Sequence, residues 1–451
     1  MDDLPPPLLL DILSRLNDST DLARCRLVSK TLNALSYEVR SINLFCSFGR
    51  YMKSRSPETK TLITPFKTIF NNLILSSRSV DSISVGVRKP LRGLSYDAVE
   101  DESDDLYLTD VNFVKEWLPG VVCEGLKSLS ISDFWVQSCW RRSEVLVLIS
   151  SCCHSLLNLE VKNSWLSVDG LSPMPALTSL TLEFIRLDDE DLNKVNECFP
   201  SLKVLNLIGV GGLKDPRIHQ LQLKTCQWMV SNAPLSLTIH APNLVKLKLK
   251  LKCVKPQSLV LETPLLSDFH LSLENAGECG VKEFLNLKTL HLESTGLWSL
   301  IGTFPFGRTV KNLTVDSLKQ SEPVEIKRFN LETLSNFFPN VSSLKLGPGA
   351  WSELETCFRL GGLEGKIGMK KLKEITGHLM VYDIDITISF ISSVLDKYTS
   401  LSNMALLIHC EVDSSITSNL ISRCSANWPR VKWRWGRWKE GMKDTWVCDS
   451  I

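Results

Sequence analysis

Pro175-Ala176-Leu177-Thr178-Ser179-Leu180-Thr181-Leu182 is followed one unit later by Pro200-Ser201-Leu202-Lys203-Val204-Leu205-Asn206-Leu207. Both stretches read apolar-x-x-apolar-x-apolar behind a proline. In an extended chain neighbouring side chains point to opposite faces, so Leu180 and Leu182 share one face and Thr181 takes the other. The proline fixes the bend into the strand and gives up a donor that the bend does not need. One strand of this kind cannot cover its own apolar side, so the phrase is informative through its recurrence.

It recurs along most of the chain. Earlier copies are Val39/Ile42/Leu44, Val80/Ile83/Val85, Leu126/Leu129/Ile131 and Leu156/Leu159/Val161. Later ones are Leu244/Leu247/Leu249, Leu266/Phe269/Leu271, Leu287/Leu290/Leu292, Val310/Leu313/Val315, Val341/Leu344/Leu346 and Leu401/Met404/Leu406, with weaker copies at Leu223/Cys226/Trp228 and Leu372/Ile375. Beyond Leu126 the starts lie roughly 21 to 31 residues apart, which overlaps and slightly exceeds the period of leucine-rich repeats. The expected fold class is α/β: a leucine-rich-repeat solenoid with a curved parallel sheet, preceded by a helical N-terminal segment. Asp188–Cys198, Asn330–Phe337, Ile388–Tyr398 and Ser414–Arg423 read as helical return segments, each with a polar start and spaced apolar residues. Leu237/Ile239 and Leu259/Leu261 alternate instead and read as strand on the convex side. Ile185, Val210 and Thr295 stand near the place of the repeat's usual asparagine, so no regular asparagine ladder is expected.

Bulk composition narrows the class. The 451 residues are 43% hydrophobic and 22% charged, an ordinary soluble balance. Lys plus Arg (51) nearly cancels Asp plus Glu (50), so no whole-molecule field draws the chain onto nucleic acid. The apolar run Leu8–Leu10 is too short for a signal-peptide core or a membrane span, and a cytoplasmic or nuclear protein without membrane contact is expected. Fourteen cysteines without a C-x-x-C pair read as small buried hydrophobes of a reducing compartment. Cys152-Cys153-His154 has metal-ligand residue types but lacks the second pair of a zinc site, so it reads as a buried helix end. No metal or cofactor is expected. A P-loop, a nucleophile elbow and a kinase signature are all missing, so the chain is not expected to be an enzyme.

The first forty residues carry more apolar surface than so short a segment can bury by itself. In Leu4-Pro5-Pro6-Pro7-Leu8-Leu9-Leu10-Asp11-Ile12-Leu13-Ser14-Arg15-Leu16 a proline turn opens a helix on which Leu8, Ile12 and Leu16 share one stripe, with Leu9 and Leu13 beside it. Asn17-Asp18-Ser19-Thr20 breaks and recaps the chain before a second run with Leu22, Cys25, Leu27, Val28, Leu32 and Leu35. L-P-P-P-L-L-L-D-I-L-S-R-L followed by L-A-R-C-R-L-V-S-K resembles the F-box family across nearly the whole motif. Pro6 and Pro7 stand where that family commonly has acidic residues, and Leu32 where it often has tryptophan. With the repeats, the chain resembles a plant-type F-box/leucine-rich-repeat protein, and its irregular repeats are unlike the disulfide-flanked repeats of extracellular receptors.

The resemblance implies docking onto a Skp-family adaptor and through it onto a cullin, with Leu4, Pro5, Leu8, Ile12, Leu13, Leu16, Leu22 and Val28 as contacts. It implies a substrate-recognition subunit of an SCF-type cullin-RING E3 ubiquitin ligase that holds an as yet unspecified protein substrate on its repeats. A hormone-like small-molecule receptor of the same architecture and a repeat scaffold outside any ligase are the alternatives. The expected domains are 1–40 F-box, 41–427 repeat solenoid and 428–451 C-terminal cap.

Several stretches are candidate binding elements. Lys246, Lys248, Lys250 and Lys252 alternate with leucines, which places their ammonium groups on the solvent face of one strand. Near the C-terminus Arg430, Lys432 and Arg434 oppose Val431, Trp433 and Trp435, giving one basic and one apolar face. Gly347-Pro348-Gly349-Ala350-Trp351 reads as an exposed turn, with Trp351 as an interface anchor. Together Lys246, Lys248, Lys250, Trp351, Arg430 and Arg434 are the expected substrate-binding residues. The acidic run Tyr96–Asp105 reads as a solvated loop.

Overall fold

The computed structural model describes residues 4–16, 18–56, 58–87, 105–119, 125–134, 138, 140–230, 234–251, 258–274, 284–304, 307–318, 330–361 and 369–447. By internal contacts the chain divides into two compact units, Met1–Asn232 and Ala233–Ile451. That boundary falls inside the span expected as one solenoid, because neighbouring repeats hold each other more than distant ones do.

The first unit opens with helices α1 (Pro6–Ser14), α2 (Ser19–Arg26) and α3 (Lys30–Ser36). Pro6 stands in the first turn of α1, where a missing N–H costs no intrahelical bond. Asp18 caps α2 by accepting from the Thr20 N–H at 2.9 Å, and Ser29 caps α3 by accepting from the Leu32 N–H at 3.1 Å. Strands β1 (Ser41–Cys46), β2 (Ser82–Val87), β3 (Ser128–Ser132), β4 (Arg142–Ser143), β5 (Asn158–Leu166), β6 (Ser179–Arg186), β7 (Val204–Val210), β8 (Arg217–His219) and β9 (Thr225–Val230) follow. The parallel ladder runs β1-β2-β3-β5-β6-β7-β9. Its register joins Leu44, Val85, Ile131, Val161, Leu182, Leu207 and Trp228 into one row, all buried. The recurrent phrase is therefore the spacing that aligns one buried side chain per repeat.

In the second unit β10 (Ser236–His240) pairs in parallel with β12 (Ser258–Glu262), apart from the ladder that starts at β11 (Lys246–Leu251). That ladder continues in parallel through β13 (Asp268–Leu273), β14 (Thr289–Ser294), β15 (Asn312–Ser317), β16 (Ser343–Leu346), β17 (Glu374–Leu379), β18 (Asn403–His409) and β19 (Lys432–Trp438). One buried row reads Leu249, Leu271, Leu292, Val315, Leu346, Gly377, Leu406 and Trp435. Between the large residues of that row Gly377 leaves a gap, and the Trp351 indole fills it: a Cβ at Gly377 would meet the ring carbons at 2.4 Å.

Trp351 is thus a core residue. It sits in the first turns of the helix Pro348–Gly361, 2% exposed, edge-on to Phe390, with its Nε1 donating to Glu355 at 2.9 Å. The expected exposed turn is corrected to a helix start. Asp316 accepts from the N–H groups of Gly349 and Ala350, at 3.0 and 3.3 Å, and so satisfies donors that a helix leaves open at its beginning.

The expected C-terminal cap also changes. Lys432–Trp438 continues the ladder as β19 rather than closing it, and the closure falls to β20 (Thr445–Trp446), which pairs antiparallel with Gly436 and Arg437. Asp189–Cys198, Leu331–Phe337, Ile384–Lys397 and Ser414–Asn427 are helices, two of them longer than their sequence pattern marks. Asp383, which caps Ile384–Lys397 by accepting from Asp385 and Ile386, marks the earlier start. Of the acidic run Tyr96–Asp105, residues through Asp104 lie outside the described residues. Asp105 is described, and its carboxylate accepts from the N–H groups of Phe66 and Lys67 at the start of the helix Phe66–Ser76.

Candidate functional site

The three N-terminal helices sort their apolar residues into two sets. Leu9, Leu13, Leu22 and Leu32 pack with Val39 into a small core, flanked by the half-buried Leu10, Leu16, Cys25 and Leu35. Leu4, Leu8 and Ile12 lie outside it on one stripe, with Leu8 53% and Ile12 48% exposed. In the turn between α2 and α3, Leu27 is 89% and Val28 72% exposed. Large apolar residues concentrated so densely in the open mark a surface made to be covered.

This division revises the expected contact set. Leu13 and Leu22 are core residues, and Leu16 leans on that core, so none of the three side chains stands in the open as that of Leu8 does. Leu27 belongs to the exposed set, although the contacts implied by the resemblance leave it out. Leu32 fills core space, so its departure from tryptophan falls in the interior. The helices are tied to the first strand: Ser19 Oγ accepts from the Asn43 N–H at 2.9 Å. Arg26 donates to Ser36 Oγ at 2.8 Å and lies over the Tyr37 ring, fixing α2 against α3.

The basic residues of the second unit do not form one patch. Lys246, Lys248 and Lys250 are exposed on β11, as the alternation requires. Arg430 and Arg434 are exposed at β19, and the Arg434 guanidinium lies 4.1 Å above the Trp446 ring. Six strands stand between β11 and β19 in the ladder, so at ~4.8 Å per step the two groups are roughly 34 Å apart along it. Lys252 lies outside the described residues.

A denser cationic surface lies where the strands begin. A groove of about 760 Å³ is lined by Lys288, Arg308, Lys311, Lys370, Lys371 and Lys373, together with Asn and Ser side chains. Among the described residues none of these six cations makes an ion pair. Their spacing follows from the backbone. The Lys288 carbonyl accepts from the N–H groups of Lys311 and Asn312, the Lys311 carbonyl from Ser342 and Ser343, and the Ser342 carbonyl from Lys373 and Glu374, at 2.8 to 3.1 Å. Positions just ahead of successive strands are thereby stacked. The neighbouring hydroxyls are already engaged: Ser342 donates to the Lys311 carbonyl and Ser400 to the Leu372 carbonyl. Like charges held close without counter-charge favour an anionic ligand. Residue-by-residue alternation finds β11 but not this groove, because its cations come from different repeats.

Among the described residues no helix is long and apolar enough to cross a membrane. Cys152 ends the helix Val145–Cys152 and is half-buried, Cys153 just beyond it is buried, and His154 is exposed. Burial pushes the Cys226 and Cys424 thiols up to about 12, which keeps them protonated and inert.

Residues 1–41 match the F-box-like family. Over 99% of its length the chain is 56% identical to the whole of "F-box/LRR-repeat protein At4g29420" from Arabidopsis thaliana. A helical segment with an uncovered apolar stripe, followed by parallel strands in register at one per repeat, is what that name describes, and the chain belongs to the F-box/LRR-repeat family.

Proposed function

We propose that this protein is the substrate-recognition subunit of an SCF-type cullin-RING ubiquitin ligase. The observation that carries the reading is the exposed set Leu4, Leu8, Ile12, Leu27 and Val28 on a segment that matches the F-box-like family. Pro5 fixes the approach of the chain to α1, and the exposed side chains bury against a Skp-family adaptor, itself carried by a cullin. The chain performs no bond chemistry: it raises the effective concentration of target lysines near a charged ubiquitin carrier.

Substrate is held by the second unit. The six-cation groove takes an acidic segment of the target, and Lys246, Lys248 and Lys250 at one end of the ladder, with Arg430 and Arg434 at the other, extend the attraction. Trp351 has no part in it, being interior.

Co-purification of the full chain with a Skp-family adaptor tests the docking. The double substitution Leu8→Asp, Ile12→Asp is expected to abolish binding while leaving thermal stability close to wild type, since both side chains are half exposed. Retained binding by that variant contradicts the assignment. Lys288→Glu, Lys311→Glu and Lys373→Glu together should abolish capture of an acidic substrate and spare the adaptor. Undiminished capture would remove the groove from the account, and the set Lys248, Lys250, Arg430 and Arg434 is the comparison arm.

A further inference from the structure

Three ligand-type side chains, one repeat apart in sequence, meet on the solvent face of the second ladder. His270 on β13 is registered against His291 on β14, and Glu293 stands two residues beyond His291 on the same face. The imidazoles stack with centroids 3.9 Å apart and planes within 11°. Glu293 Oε1 lies 3.0 Å from His291 Nε2 and 3.5 Å from His270 Nε2. One ligand atom from each residue falls within 4.8 Å of the other two, and all three residues are half-buried.

From this we infer that His270, His291 and Glu293 form a binding site for a divalent transition-metal ion, zinc being the class the donors suit best. Two imidazole nitrogens and one carboxylate oxygen are a common zinc ligand set. A tetrahedral zinc with bonds of about 2.0–2.2 Å holds its ligand atoms roughly 3.3–3.5 Å apart, and the two Glu–His separations already lie close to that. The remaining adjustment is a turn of one ring out of the stack, so that both lone pairs converge.

His270 supplies the second argument. Its Nε2 is shielded from solvent, and its nearest polar neighbour, Glu293 Oε1 at 3.5 Å, stands beyond the distance of a good hydrogen bond. A buried ring nitrogen without a partner is costly, and a bound cation would satisfy it. The surrounding charge is mixed. Lys248 on β11 is registered against His270, while Asp316 on β15 stands next to Glu293 in register. The sequence alone hides the site because no two of its histidines are near each other in the chain.

Full-length protein with its adaptor, stripped by a chelator and titrated with Zn²⁺ alone, should bind a saturating equivalent that His291→Ala weakens at least tenfold. Glu293→Gln, which keeps the side chain's size, should also weaken it, and unchanged thermal melting shows that both variants fold. His240→Ala, which removes the exposed imidazole paired with Glu262, should bind like wild type. With Co²⁺ as probe, the visible spectrum should lack thiolate charge-transfer bands. No saturable Zn²⁺ binding, equal binding by His291→Ala and Glu293→Gln, or thiolate bands that place the ion on cysteine would each overturn the site.

Discussion

Leu8 and Leu13 stand five residues apart on α1 and do opposite things, and that contrast shows what single positions tell. Both belong to the apolar pattern, and the family resemblance gave both to the partner. The structure gives Leu13 to the core, at 2% exposed, and leaves Leu8 half in the open. Which side of a broad apolar face turns inward is decided by α2 and α3, whose packing the α1 residues do not encode. Trp351 was misread for a related reason: its neighbours Gly347, Pro348 and Gly349 look like a turn, while the partner that claims the indole, Gly377, lies on a later strand. Leu13→Ala should therefore cost about 2–5 kcal/mol of stability, and Trp351→Ala about 3–5 kcal/mol, through lost burial and the cavity left behind. Urea unfolding of the two variants checks this. A Trp351→Ala protein of wild-type stability that fails only in substrate capture would restore the tryptophan to the surface.

At the scale of elements, the strands were the most legible part. Each quoted triplet, the weaker copies included, has its apolar positions buried. A strand's side-chain period is two, so a phrase that keeps apolar residues two apart can satisfy only one register. Return segments were less legible, because helix starts depend on caps such as Asp383 and on carboxylates from elsewhere such as Asp316. The C-terminal element was misassigned for want of pairing information. Arginines and tryptophans alternate equally well in a terminal cap and in one more strand, and it is the β18 register that makes Lys432–Trp438 a strand. What ends the ladder is β20, short and covering Gly436 and Arg437, with the Val447 N–H donating to the Trp435 carbonyl at 2.9 Å. Ending the chain after Glu440 should bare that edge, and unpaired edge strands associate. Light scattering across a concentration series should show the shortened protein associating where the full chain does not. A strictly monomeric truncation would show that β20 has no edge-covering role.

For the molecule as a whole, the sequence announced a helical N-terminal segment and a long repeat array, and the comparisons place both in one family. What it could not announce are surfaces assembled across repeats. The cationic groove takes one to three cationic side chains from each of three repeats, and the His270, His291 and Glu293 cluster takes its members from two. Each such residue is unremarked in its own repeat, since stacking, not local order, brings it to its neighbours. The account's central claim is that the uncovered apolar set of the N-terminal helices is the docking face. Side-chain footprinting by hydroxyl radicals, on the full chain with and without a purified Skp-family adaptor, reads that claim residue by residue. Leu4, Leu8, Ile12, Leu27 and Val28 should lose several-fold in labelling when the adaptor is bound, while Leu62 and Leu75, also exposed in the same unit, keep theirs. An adaptor complex in which those five side chains label as freely as before would contradict the account.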